Sequence, residues 1–297
     1  MITRIILNGK KAALEPVRNA IFAARSNSPV EVRVTWEKGD VRRLVQEACE
    51  EGCSRLVVGG GDGTVKEIVD AFMRFQAQDR PELAILPLGT ANDFATACGV
   101  PNDPLSALTL AQRGKAFAVD CIQANEEYFI NVASGGFGAQ VTANTPVELK
   151  NFLGGGAYTL SGLIQAIKFN PYHGELRTPD GVLASRAIVG AACNGRQAGG
   201  GQQLAPEALI DDGLMDIIAL LDFPKERLMQ VIMEVQNPAS NGEYVKRYRV
   251  PWAEWESDVE IPTNLDGEPV AVKRMRFEVV PAAIKLVLPD NCKLLGP

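Results

Sequence analysis

Histidine is nearly missing from this chain: His173 is the only one in 297 residues. That excludes multi-histidine zinc sites and leaves little room for Ser-His or Cys-His catalysis. Acid–base chemistry must then fall to carboxylates. Cysteine lacks pattern. The six cysteines, at 49, 53, 98, 121, 193 and 292, show neither metal-ligand nor redox-motif spacing. They read as small buried thiols of a reducing compartment. No run of about 18 apolar residues exists, so nothing reads as a membrane span. The N-terminal run Ile5-Ile6-Leu7 is too short for a signal-peptide core. Positive charge is not in excess; the formal net charge of −6 argues against nucleic acid as a partner. Repeats, low-complexity segments and flexible linkers are absent. A cytoplasmic protein is the expectation, and the sequence sets no oligomeric state.

What is present is a large apolar fraction, 46%, and a length that fits two domains. The first 120 residues alternate strand and helix. Strands are predicted at 2–8, 30–35 and 55–59. Asp40 is expected to cap a helix carrying Val41, Leu44, Val45, Ala48 and Cys49, ended by Gly52. A second helix carries Val65, Ile68, Val69 and Phe72, with Thr64 and Glu67 at capping-box spacing. Leu83 to Leu88 reads as a buried strand, and Asp103-Pro104 opens a helix that stops at Gly114. Such alternation implies a parallel sheet with helices on both faces. Beyond about residue 120, turn signals such as Thr178-Pro179-Asp180-Gly181, Asp211-Asp212-Gly213 and Leu265-Asp266-Gly267 separate short strands. This half reads as an antiparallel β-sandwich with one helix near 224–235. The expected division is an α/β, Rossmann-like nucleotide-binding domain over 1–125, completed by 285–297, and a β-sandwich domain over 126–284. Ile284 to Leu288 is a strand expected to return to the first domain.

The most informative stretch is Leu56-Val57-Val58-Gly59-Gly60-Gly61-Asp62-Gly63-Thr64-Val65-Lys66-Glu67. A β-branched run ends in glycines just where a helix opens. Backbone without Cβ approaches a ligand closely, and a helix N-terminus offers free N–H groups to an anion. Neither the dinucleotide fingerprint nor the Walker A ending is present. Asp62 puts a carboxylate where a phosphate would sit. Either a divalent cation bridges the two, or Asp62 anchors the loop through hydrogen bonds. Ligands of open parallel sheets bind beyond the carboxyl ends of the strands. Four loops occupy that edge, holding Asn8-Gly9-Lys10, Thr35, Gly59 to Thr64, and Pro87 to Asp93. Lys10 could reach a phosphate, although a solvated turn lysine is the simpler reading.

At this point a resemblance emerges. Gly60-Gly61-Asp62-Gly63-Thr64 is shared by diacylglycerol, sphingosine and NAD kinases and phosphofructokinase-like enzymes. Gly89-Thr90-Ala91-Asn92-Asp93-Phe94 is similar to the lipid-kinase branch. Thr35-Trp36-Glu37-Lys38-Gly39-Asp40, Asn194 to Gln203 and Asn264-Leu265-Asp266-Gly267-Glu268-Pro269 narrow it to bacterial YegS-type lipid kinases. Ala91 departs from the commoner diacylglycerol kinase pattern, which has Gly there. The resemblance implies ATP contacts at Thr35, Gly61, Asp62, Gly63, Thr64, Val65, Lys66, Glu67, Thr90 and Asp93. Asp62 and Asp93 would organise Mg-ATP and its loops. It implies a catalytic carboxylate in Asp266-Gly267-Glu268, with Glu268 as proton acceptor and Asp266 as the alternative, although Asp-Gly alone reads as a hairpin turn. It also implies a structural Mg²⁺, replaceable by Ca²⁺, held by the Leu209 and Leu214 carbonyls and Asp212, an oxygen-only set that suits a hard cation.

The implied reaction moves a γ-phosphoryl group from ATP to a lipid hydroxyl, phosphatidylglycerol first and diacylglycerol next. The substrate would be met by transient contact with a membrane surface. Residues 152–169 are the best candidate for docking, with Leu160, Leu163, Ile164 and Ile167 at helical spacing. The rivals are an NAD kinase-like enzyme and a non-catalytic nucleotide-binding regulator.

Overall fold

The glycine turn belongs to a βα alternation that fills the first third of the chain. In this computed structural model, which describes residues 3–26, 28–136, 170–237 and 241–296, the order is β1 (Thr3–Asn8), α1 (Gly9–Ala12), α2 (Glu15–Arg25), β2 (Val30–Thr35), α3 (Asp40–Glu50), β3 (Arg55–Gly60), α4 (Asp62–Phe72), β4 (Glu82–Pro87), α5 (Asp93–Ala97) and α6 (Pro104–Arg113). The docking segment expected at 152–169 lies outside the described residues. Strands β1 to β4 are parallel and lie in the order β4-β3-β1-β2. Their apolar runs are covered on both sides, as parallel strands require. Ile6, Val58 and Ile85 face α3 and α4, while Ile5, Val57 and Ala84 face α2 and α6. The chain leaves β1 in one direction and β3 in the other. The crevice between their carboxyl ends is therefore the switch point where such sheets bind ligands.

Two helix starts differ from expectation. Gly39, at φ 94°, caps α3, and Asp40 is its first helical residue. Its carboxylate turns back to accept the N–H groups of Trp36 and Glu37, at 2.6 and 3.0 Å. Helix α4 starts at Asp62 with Gly61 as cap, so Thr64 lies in the first turn and not at a capping-box position. Helix α2 is not among the helices expected above, although Pro16 stands in its first turn and Val17, Ala20, Ile21 and Ala24, at helical spacing, seat it on the sheet.

The second half is antiparallel. It contains β5 (Lys115–Ala124), β6 (Glu127–Phe129), β7 (Val132–Gly136), β8 (Tyr172–Thr178), β9 (Gly181–Cys193), β10 (Gln197–Ala198), β11 (Gln202–Gln203), β12 (Met215–Leu221), α7 (Leu228–Gln236), β13 (Val245–Val250), β14 (Trp252–Leu265) and β15 (Glu268–Leu288). Hydrogen bonding links the two halves into one 13-stranded sheet among the described residues, because β15 runs from the β14 hairpin past β5 and touches β4 at Leu286↔Leu83. The end of that strand and the tail place Leu286, Leu288, Cys292 and Leu294 in the core beneath α3 and α4. Leu265 and Glu268 pair across a two-residue turn. Asp266 and Gly267 both have positive φ, 48° and 104°, the geometry an Asp-Gly hairpin turn requires.

Candidate active site

The crevice is built from two tightly apposed turns. Gly61 and Gly89 approach so closely that a Cβ on Gly89 would stand 2.5 Å from the Gly61 Cα. The Leu88 N–H donates to the Gly60 carbonyl at 2.8 Å, and the Gly89 N–H to Asn92 Oδ1 at 2.8 Å. Glycine is needed at both places because any side chain would push the turns apart. Asp62 completes the junction. Its two carboxylate oxygens accept the N–H groups of Asp93 and Phe94, at 3.1 and 3.2 Å. It thus takes up orphan donors at the start of α5. Of the two roles open to Asp62, the loop anchor is the one this geometry displays. Burial pushes its carboxyl above the usual range, opposed by those two donors.

Asp93 carries the connection into the other half. It is buried, and its carboxylate accepts the N–H groups of Gly200 and Gly201, at 2.9 and 2.6 Å. Gln197 donates to its backbone carbonyl at 3.2 Å. The chain Asp62, α5, Asp93, Gly200 therefore ties the glycine turn to the 194–203 loop. That loop's glycines carried a family motif but no assigned task in the sequence.

The remaining residues expected at ATP fall into two groups. Gly63, Thr64 and Glu67 lie in the first two turns of α4, Thr35 ends β2 and donates its hydroxyl to the Leu7 carbonyl, and Thr90 is exposed beyond β4. These share the open edge. Val65 and Lys66 are buried. Val65 is in the core, and buried Lys66 forms an ion pair with Glu127, a partner for which the sequence carries no signal. Lys10 is not in a turn but in α1, where it is exposed and in no ion pair among the described residues.

The two carboxylates of the β14–β15 turn have separated roles in the geometry. Asp266 is buried, and it accepts three backbone N–H groups, from Ile130 at 3.0, Asn131 at 3.0 and Val132 at 2.6 Å. Burial pushes its carboxyl up to about 6 against the pull of those donors. Glu268 is exposed, and its Oε1 lies 3.8 Å from where a Gly63 Cβ would be. It stands over the N-terminal turn of α4. Glu67, one helical turn on, has its carboxyl raised first by burial and then by the Glu268 charge.

The third cluster lies before β12. Asp120 organises it by accepting the N–H groups of Gly213 and Ala282, at 2.7 and 2.8 Å, and donating its own N–H to the Ile210 carbonyl. Asp212 accepts the Leu214 N–H at 3.0 Å and forms an ion pair with Arg249. The Leu209 and Leu214 carbonyls accept no hydrogen bond among the described residues. Two free carbonyls and a carboxylate are a donor set that a hard cation would accept. Among the described residues no group of three or more His, Cys, Asp or Glu side chains forms a metal cluster, so such a site would be carbonyl-led.

This architecture is a phosphotransferase one: a glycine-turn α/β unit, a β-sandwich unit, and the exposed carboxylate of Glu268 where they meet. Residues 3–124 match the family described as the diacylglycerol kinase catalytic domain, and 131–288 match the YegS C-terminal NAD kinase beta sandwich-like domain. A Shewanella frigidimarina protein described as "Probable lipid kinase YegS-like" is 50% identical over 98% of this chain and 95% of its own. A Chromohalobacter salexigens protein of the same description is 48% identical over 99% and 95%. A solved Bacillus anthracis str. Sterne chain described as a diacylglycerol kinase superposes with a TM-score of 0.75 at 21% identity, over 98% and 97% of the two chains, and shares the fold. The chain belongs to the YegS-like lipid kinases of the diacylglycerol kinase family.

Proposed function

We propose that this kinase transfers the γ-phosphoryl group of ATP to the free hydroxyl of a membrane lipid, phosphatidylglycerol before diacylglycerol, in phospholipid metabolism. The observation that carries the reading is Glu268: in the crevice, Asp62, Asp93 and Asp266 are bonded to backbone amides, while Glu268 stands exposed over the start of α4. Phosphoryl transfer asks the protein for positioning and charge stabilisation, with a base for the attacking hydroxyl. The first turn of α4 offers N–H groups and the positive end of its dipole to the ATP phosphates. Thr35, Thr64 and Thr90 supply hydroxyls along the same edge, and Asp62 and Asp93 hold the turns in register. Glu268 takes the proton of the acceptor hydroxyl at its carboxylate. Mg²⁺ travelling with ATP would neutralise phosphate charge. A second Mg²⁺, which Ca²⁺ could replace, would sit at Leu209, Asp212 and Leu214 in a structural role.

The lipid nature of the acceptor has support in the β half. An apolar cavity of about 90 Å³, lined by Gly135, Ile261, Thr263 and Met275 among others, follows the same β14–β15 hairpin that carries Glu268. No described helix is long and apolar enough to cross a membrane. As part of the same proposal, the protein works in the cytoplasm with transient contact at the membrane surface, where an acceptor lipid lies. The test is transfer of labelled γ-phosphate from ATP to purified lipids in mixed micelles with Mg²⁺, beside NAD and a no-acceptor control. A labelled lipid supports the reading; label in NADP alone would replace it with the soluble-acceptor kinase.

A further inference from the structure

A second cavity lies beside Glu268. Its volume is about 260 Å³, and it is walled by Arg42 of α3, by Lys66, Glu67 and Asp70 of α4, by Glu127 of β6 and by Glu268. That is below the roughly 300–1,000 Å³ of sites that enclose a drug-sized ligand, so it fits a headgroup and not a whole lipid. The charges within it are mostly spent on one another. Lys66 pairs with Glu127, and Asp70 pairs with Arg74 and accepts the Tyr128 N–H. Three charged groups are left over: Glu67, which feels the charge of Glu268, Glu268 itself, and Arg42 on the α3 wall. Arg42 is exposed and makes no ion pair or hydrogen bond among the described residues.

We infer that this cavity binds the polar headgroup of the acceptor and that Arg42 selects an anionic phosphodiester within it. The inference rests on the lipid-kinase reading above and adds to it the site and the headgroup charge. A guanidinium fork matches phosphate oxygens two at a time, which a neutral headgroup cannot exploit. The two carboxylates accept hydrogen bonds from hydroxyls and repel a phosphate. A headgroup with a hydroxyl beyond its phosphodiester therefore enters in one direction only, hydroxyl toward Glu268 and phosphate toward Arg42. Diacylglycerol has the hydroxyl but nothing for Arg42.

The test compares wild type, Arg42→Ala and Arg42→Lys on phosphatidylglycerol and diacylglycerol in the same neutral micelles, reading KM and kcat separately. Binding of short-chain phosphatidylglycerol without ATP is measured by calorimetry. Arg42→Ala should raise KM for phosphatidylglycerol about tenfold or more with kcat held, leave diacylglycerol unchanged, and weaken short-chain binding in step. Arg42→Lys should recover part of the loss, since it restores charge without the fork. Equal effects on both lipids, or none on either, overturn the inference while leaving the kinase reading intact. Arg42-dependent binding without transfer in wild type upholds the site and removes the kinase reading instead. Wild type that neither binds nor phosphorylates phosphatidylglycerol overturns the site.

Discussion

The two edges of the crevice solve different problems. The glycine-turn edge is made almost wholly of backbone. Gly61 and Gly89 touch, and the carboxylates Asp62 and Asp93 are spent on holding amides. The opposite edge, the β14–β15 turn, places two carboxylates two residues apart and gives them opposite environments. Asp266 is enclosed by three amides of the 130–132 segment, while Glu268 is left to solvent and to whatever binds. Rigidity is therefore concentrated on one side of the reacting centre and chemical freedom on the other. A carboxylate in this site is scaffolding unless its oxygens have been left unbonded.

Glu268→Gln is the sharpest way to break that comparison. It should lower transfer by about 10²–10⁴-fold while ATP binding, read by thermal shift, stays within about twofold, because the amide keeps the shape and loses the base. A variant that turns over normally would return the catalytic role to another group. Asp266→Ala should cost folding instead. Three buried N–H groups lose their acceptor, at about 1–3 kcal/mol each, so denaturant unfolding should show a loss of at least about 3 kcal/mol.

Asp266→Asn refines the point through pH. The folded carboxyl is raised from 3.8 to about 6. A native state that holds the proton more tightly gains stability that is fully present below about pH 4 and is lost as pH rises through about 6. The asparagine variant has no such slope. Its deficit against wild type should shrink between pH 4 and 7; a deficit that grows would mean the three amides outweigh burial.

On the glycine-turn edge, Gly89→Ala and Gly63→Ala make a matched pair. The first places a Cβ 2.5 Å from backbone and 2.7 Å from Asn92 Oδ1, the second only 3.8 Å from the end of Glu268. Gly89→Ala should destabilise by about 1–3 kcal/mol and Gly63→Ala by much less, with calorimetry separating them. The smallest effect concerns the 209–214 loop. Mg²⁺ at ten times its Kd should stabilise by about 1.4 kcal/mol, and the gain should vanish in Asp212→Asn and on chelation. An unchanged melting temperature with and without cation would leave Arg249 as the counter-charge of Asp212.

Much of the glycine-turn edge is legible in the order of residues alone. Apolar periodicity marks β1 to β4, α3, α4 and α6, and glycines mark the turn between β3 and α4. Helix boundaries shift because a left-handed Gly39 and an extended Gly61 take the cap positions that Asp40 and Thr64 offered. Lys66 and Val65 sit inside the motif yet face the interior, since a helix turns successive residues about 100° apart and only some meet the ligand edge. The Lys66–Glu127 pair, the Asp93 clamp on Gly200 and Gly201, and the placement of Arg42 near Glu268 leave no trace in the sequence. Each joins residues 61, 107 or 108, and 226 positions apart.

The sequence by itself determined the element types, the parallel α/β beginning, the antiparallel second half and the chemistry available: carboxylates, hydroxyls and glycine backbone in place of histidine or thiol pairs. These follow from local periodicity, turn chemistry and composition, which a short window of chain contains. The tertiary structure alone decided which carboxylate is free. Asp62, Asp93, Asp266 and Glu268 are equivalent as letters, and their difference is the number of amide donors that distant segments bring to each. That number is set by how the β14–β15 turn, the 130–132 segment and the 194–203 loop pack around one crevice.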